Sequence, residues 1–221
     1  MNNPARYILN LVNLTSYSDI LTFSLGFIGN GPVADPNKNY IELYVIGDVS
    51  SKGLNSSGTV IVDSGVNVLL WVGGNLDLSG NGLVNNNGLA SPLTIYGINP
   101  PSGTSQSFKL TGYADFFGKV CAPAADIVFG GNQTFIGAFV AKTANFQGNA
   151  QLYCDAASTV PSDYVSAFGA CNLNNSYLRL GGSGFSSFYQ VFGGALNAAM
   201  LIVDKGATLE CTGSAAGGLP G

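Results

Sequence analysis

The stretch Phe108-Lys-Leu-Thr-Gly-Tyr-Ala-Asp-Phe-Phe-Gly-Lys-Val-Cys-Ala122 decides the fold when Ile127-Val-Phe-Gly-Gly-Asn-Gln-Thr-Phe-Ile-Gly-Ala-Phe-Val-Ala141 is set beneath it. Leu110 falls on Phe129, Gly112 on Gly131, Phe116 on Phe135, Gly118 on Gly137 and Ala122 on Ala141, at the same offset every time. A third copy follows at a slightly shorter offset, with Phe146, Gly148 and Leu152 in the same columns. Leu78-Ser-Gly-Asn-Gly-Leu83 reads as an earlier copy and Leu180-Gly-Gly-Ser-Gly-Phe185 as a later one. Ile61-Val-Asp-Ser-Gly65 is echoed by Ile202-Val-Asp-Lys-Gly206.

Each unit holds two or three short runs of alternating apolar residues, separated by Gly or Gly-Asn. Alternation sends one set of side chains to one face of a strand. Gly and Asn tolerate the left-handed conformation that a tight corner needs. One such unit cannot bury its own apolar face, but stacked units can, with Leu110, Phe129 and Phe146 piling into one core column. An antiparallel sandwich also has short strands and Gly turns. Constant spacing with matched columns favours an all-β parallel β-helix, a β-solenoid, with rungs of roughly 17–19 residues. Irregular rungs favour right-handed winding.

Composition agrees. Hydrophobic residues make up 46% of the 221 and charged residues only 9%, about a third of the usual charged share. A disordered chain would be rich in charge and poor in apolar residues. A helical one would spend Glu, Lys, Arg and Ala on its solvent faces. Net charge is −4 and no basic stripe is present, which argues against nucleic acid as a partner. The longest apolar runs, such as Val66–Val72, are too short for a membrane-spanning helix. The apolar stretch after Arg6 is broken by Asn10, Asn13, Thr15 and Asp19, a poor signal-peptide core, so the numbering is expected to start at a mature or truncated N-terminus.

The repeat divides the chain. Residues 1–33 read as an N-terminal extension that either caps its own core or is donated to a neighbour, in which Leu21, Phe23, Leu25 and Phe27 alternate with small or polar residues as a clean half-buried strand. A joint of Pro32, Asp35, Pro36, Asn37 and Asn39 precedes a solenoid body over 34–154. Residues 155–175 break the columns and read as an inserted loop or short helix, and 176–221 as terminal rungs and tail. None of the four cysteines, Cys121, Cys154, Cys171 and Cys211, stands in a CxxC motif, and the chain has no His. Cys154 and Cys171 flank the inserted stretch, so a disulfide between them and two buried free thiols are the alternatives.

Four segments carry a family resemblance: Leu76-Asp-Leu-Ser-Gly-Asn-Gly82, Leu93-Thr-Ile-Tyr-Gly97, Ala114-Asp-Phe-Phe-Gly-Lys-Val-Cys-Ala-Pro123, and Gly137-Ala-Phe-Val-Ala-Lys142 with Gly148-Asn-Ala150. In this order they resemble the C-terminal β-helical domain of bacterial surface and pilus-associated, PilX-type exported proteins. The resemblance implies an extracellular or cell-surface protein and supplies no catalytic residues. This chain departs from the pattern at both ends, lacking the hydrophobic N-terminal pilin helix and adding a tail after Cys154.

Chemistry is sparse. Asp115 aligns with Thr134 and Gln151, and Asp126 with Ser107, so no carboxylate pair for acid–base work forms in a column. Arg6 and Arg179 are the only arginines. Asp35-Pro-Asn37-Lys-Asn39-Tyr-Ile-Glu42 has alternating oxygen ligands, but Tyr40 stands where a calcium loop requires Gly, and an Asx-rich turn explains it. No catalytic, cofactor-binding or metal-binding residue is expected, and no cofactor. The leading expectation is a non-catalytic structural subunit of an extracellular filament, sheath or pilus-like assembly. Its partner is a second copy, joined by donation of the strand containing Leu21, Phe23, Leu25 and Phe27 or by end-to-end stacking. A module binding ice or a surface polysaccharide is the alternative. Thr59, Thr94, Thr111, Thr134 and Thr143 form no single rank, which weakens the ice reading.

Overall fold

The computed structural model describes residues 5–16, 18–24, 40–51, 58–80, 82–98, 105–131 and 133–153, and the backbones of five later strands, Val165–Asn172, Tyr177–Gly181, Ser187–Val191, Met200–Val203 and Ala207–Cys211. Among these residues the fold is all-β, without a helix, and its strands pair in parallel.

The strands form rows. The first row runs Ala5–Leu9, Tyr40–Val45, Asn67–Val72, Leu93–Gly97, the first halves of Lys119–Phe129, Phe139–Phe146 and Val165–Asn172, then Ser187–Val191 and Ala207–Cys211. The second runs Val12–Asn13, Val49–Ser50, Leu76–Asp77, Gln106–Leu110 and the second halves of Lys119–Phe129, Phe139–Phe146 and Val165–Asn172. Lys119–Phe129, Phe139–Phe146 and Val165–Asn172 pass through the corner between them, so the two rows count as one 13-stranded sheet. Ile20–Phe23, Thr59–Val62 and Leu83–Asn85 make a third row. The fourth consists of Phe116–Phe117, Thr134–Ile136, Asn149–Tyr153, Tyr177–Gly181 and Met200–Val203. The third row leads into the fourth, where Asn85 Nδ2 donates to the Phe117 carbonyl at 2.9 Å.

Parity in the sequence sets what is buried. In Asn67–Val72 the residues Val68, Leu70 and Val72 are buried and the alternate ones half-exposed, as the two-residue period of a strand requires. Among the described side chains, those facing inward from all four rows join one hydrophobic cluster. Gln106 is buried among them, its Nε2 donating to the carbonyls of Val72, Gly73 and Gly74, which satisfies a corner of the preceding tier.

The columns read from the repeat are the observed register. Leu110 pairs with Phe129, Phe116 with Phe135 and Ala122 with Ala141, then Phe129 with Phe146 and Phe135 with Leu152. Gly80 bridges to Gly112, as the earlier copy requires. Two expectations need correction. The spacing read from the repeat belongs to this central stretch alone, since Ala5 pairs with Ile41, Ile41 with Val68 and Val68 with Leu93. Corners between strands absorb different numbers of residues without disturbing the stack, so the period drifts. Leu180 pairs with Leu152, so it stands in the Phe116 column and not in that of Leu110.

Within 155–175, read as an inserted loop, Val165–Asn172 is a strand in register with Phe139–Phe146. Residues 154–164 and 173–176 lie outside the described residues, Cys154 among them. Cys171 is placed by its backbone alone, beside Ala144. The choice between a Cys154–Cys171 disulfide and two free thiols therefore lies outside the described residues, and Cys121 is a free thiol.

Candidate assembly surface

Three strands of residues 1–33, Ala5–Leu9, Val12–Asn13 and Ile20–Phe23, are the terminal strands of their rows. Each pairs on one side with its own chain. Ala5–Leu9 lies on Ile41–Val45, Val12–Asn13 on Val49–Ser50, and Ile20–Phe23 on Thr59–Val62. Of the four residues expected to form a donated strand, Leu21 and Phe23 thus pack against their own core, with Phe23 buried beside Val62. Leu25 and Phe27 lie outside the described residues.

Local bonding holds this end in shape. The backbone N–H groups of Thr15 and Ser16 donate to Asp19 Oδ2 at 2.8 and 2.9 Å, closing the corner before Ile20. Val12 N and Leu14 N donate to the carbonyls of Asp48 and Ser50. Arg6 Nε donates to Glu42 Oε2 at 2.6 Å, its own side chain 65% exposed and that of Glu42 only 11%.

What sets this end apart is the exposure of side chains in core columns. Tyr7 and Leu9 stand in register with Leu43 and Val45, which are 3% and 0% exposed. Yet Tyr7 is 55% exposed and Leu9 40%, beside Ile8 at 72% and exposed Leu11 and Ile20. The apolar columns of the first row thus run out to the surface at the first tier, while Val12 and Phe23 at the ends of the second and third rows stay buried. The edge of Ala5–Leu9 adds a row of backbone groups, and such an edge templates another strand unless it is covered.

The flanks differ in chemistry. On the outer face of the first row, Ile8, Tyr44, Trp71, Tyr96, Cys121 and Val140 form one column. Tyr44 and Trp71 stack at 5.6 Å and 2°, and Trp71 and Tyr96 at 4.2 Å and 16°. Trp71 spends both faces, and Tyr44 and Tyr96 one face each, on this stacking, which stiffens the stack. Sequence reading missed it, because the steps from Tyr44 to Trp71 and from Trp71 to Tyr96 are longer than the spacing of the central repeat. Phe116 and Phe135, by contrast, are buried in the core.

The outer face of the second row is polar. Asp48 Oδ1 accepts from Asn75 N at 2.6 Å, and Asn75 Oδ1 from Ser107 N at 2.9 Å. Ser107 is in register with Asp126, and Asp126 with Thr143. The acids of the central tiers are engaged locally. Asp77 is bonded by Ser79 and approached by Lys109, Asp115 accepts from Thr134 N, and Asp126 accepts from Ser105 Oγ and Thr143 Oγ1. Among the described residues no three His, Cys, Asp or Glu side chains converge, and no helix is long and apolar enough to cross a membrane.

Asp126 has a consequence for stability. Burial works to raise its pKa, but the Thr143 and Ser105 hydroxyls and the Lys142 charge together outweigh burial and hold the carboxyl below its ordinary value. A pKa depressed by folding contributes stability that is complete above the unfolded value, about 4. It is lost as pH falls through the folded value. Asp126→Asn is therefore expected to flatten the fall in melting temperature below about pH 4. Thermal melts of both proteins from neutral to strongly acid pH check this, and parallel profiles would contradict it.

A family model described as Domain of unknown function (DUF7305) matches residues 28–159. No curated protein matches the chain, and no solved structure does.

Proposed function

The chain belongs to the DUF7305 family, whose description assigns no activity, and we propose from its geometry that it is a non-catalytic structural subunit that stacks end to end into an extracellular filament, sheath or pilus-like assembly. The parallel rows close in this reading into a β-solenoid, wound right-handed as parallel crossovers nearly always are. The likeness of residues 76–150 to the β-helical domain of PilX-type exported proteins supports a place at the cell surface.

One observation carries the proposal. The first tier brings core columns to the surface at Tyr7 and Leu9, together with the edge of Ala5–Leu9. An apolar end of this kind, on a protein with few charges to guard it, favours association. A second copy supplies both what the edge bonds to and what the columns pack on. A head-to-tail contact without closure then propagates as a fibre. Stacking is favoured over strand donation because Leu21 and Phe23 are already engaged with Val60 and Val62. A glycan platform is less well supported, since Tyr44, Trp71 and Tyr96 turn their faces to one another.

The test is sedimentation velocity and negative-stain electron microscopy at rising protein concentration, on the natural sequence and on Ile8→Asp/Leu11→Asp. Both positions are exposed, so the substitutions leave the monomer folded while charging the end. Fibres or concentration-dependent oligomers from the natural sequence, lost in the variant, are the expected result. Monodisperse particles from both proteins at every concentration overturn the proposal.

A further inference from the structure

The two ends of the first row are related by register. The column of Ile8, Tyr44, Trp71, Tyr96, Cys121 and Val140 continues through Ala167 and Gln190 to Glu210 in the last strand. Ile8 and Glu210 thus hold the same lateral position at opposite ends of one sheet. Counting back along each strand from there brings Ala5 level with Ala207, and counting forward brings Leu9 level with Cys211. Ala5–Leu9 and Ala207–Cys211 are of equal length, and both run parallel to every strand between them.

From this correspondence we infer that the junction between copies is an in-register parallel pairing, with Ala5–Leu9 of one copy on Ala207–Cys211 of the next. The inference rests on the stacking proposed above and specifies its contact. A junction in this register repeats the geometry of every internal step of the first row, so both sheets continue without a shift. A slip by one residue would send every side chain of the added strand to the wrong face. Charge agrees with the register. Arg6 is the one charged residue of the first edge strand and Glu210 the one charged residue of the last. At the junction they stand two register positions apart, residues of opposite sign.

Cysteine cross-linking reads the register directly. Ala5→Cys/Ala207→Cys places two cysteines on the same face of neighbouring strands with their Cα atoms about 4.8 Å apart, inside the Cα separation of roughly 4.4–6.8 Å that a disulfide spans. Ala5→Cys/Thr208→Cys moves one thiol to the opposite face of its strand. Both are oxidised with copper phenanthroline beside the natural sequence, which sets the background from the native cysteines. Products are resolved on non-reducing denaturing gels and the same samples imaged for fibres. A ladder of linked multimers from Ala5→Cys/Ala207→Cys, absent from the other two, is the expected result. Fibres with no ladder, or with a ladder from the shifted pair, overturn the register and leave stacking intact. The absence of oligomers in all samples overturns stacking itself, and the junction with it.

Discussion

Replacing Phe129 with Ala is expected to cost about 3–5 kcal/mol of folding stability, the range for deleting a buried phenyl group. Phe129 is fully buried where the three central tiers meet. Its ring stacks on Phe146 at 4.7 Å and 10°, and meets Phe135 and Phe139 edge-on at 5.0 and 5.2 Å. Such contacts add about 0.5–1.5 kcal/mol per pair beyond area burial. Three rings lose a partner at once, and surrounding strands tied by a backbone ladder cannot collapse into the gap, so the cavity term is retained. Phe129→Leu keeps much of the volume and is expected to lose distinctly less. Urea unfolding of the three proteins measures the difference through the midpoint. A loss under about 1 kcal/mol for Phe129→Ala, the level of an ordinary substitution, would mean that this cluster does not hold the central tiers together.

The second large effect is expected at Gly137. Its φ is +150°, and a Cβ there would fall on the Gly118 carbonyl oxygen of the preceding tier, far inside contact distance, with Ala90 Cβ at 3.2 Å behind it. The obstacle is backbone, held by Gly118 N donating to Ile136 O at 3.0 Å while Gly137 N donates to Tyr153 O at 2.8 Å. Relief needs two tiers to separate. Gly137→Ala is therefore expected to destabilise by at least about 2–3 kcal/mol, combining backbone strain with a broken approach. Gly65 separates the two causes. Its φ is +81° and nothing lies within 4 Å of a Cβ built there, so Gly65→Ala carries dihedral strain alone, about 1 kcal/mol. Melting temperatures of the two variants test the contrast, and equal shifts would refute the close-approach argument.

Both predictions concern columns that could be read before any coordinates. Leu110, Phe129 and Phe146, and Gly118 with Gly137, share spacing and residue type, and the register pairs or abuts them. Such legibility fades away from the central tiers. Between Ile41, Val68 and Leu93 the apolar character repeats, but the two steps are unequal and both longer than those of the centre. A search at constant period passes over them, and over the stacked rings of Tyr44, Trp71 and Tyr96 beside them. Leu180 shows the opposite failure, because a matching Leu-Gly-Gly-Ser-Gly word stands in a different column once its strand is paired with Asn149–Tyr153. The assembly surface was least legible. Leu21 and Phe23 drew attention by strict alternation, whereas exposure singles out Tyr7, Ile8 and Leu9, whose stretch alternates poorly.

By itself the sequence determined that the protein is all-β, which side of its alternating strands faces inward, and how the central tiers align. These are local matters, set by the alternation of Cβ along a strand and by glycine at tight corners. Tertiary structure decided which strand lies on which elsewhere, because corners of unequal length change the spacing at no cost to the stack. It also decided that the first tier exposes residues of core columns. Exposure at an end depends on what the neighbouring tier covers, and no local pattern records that.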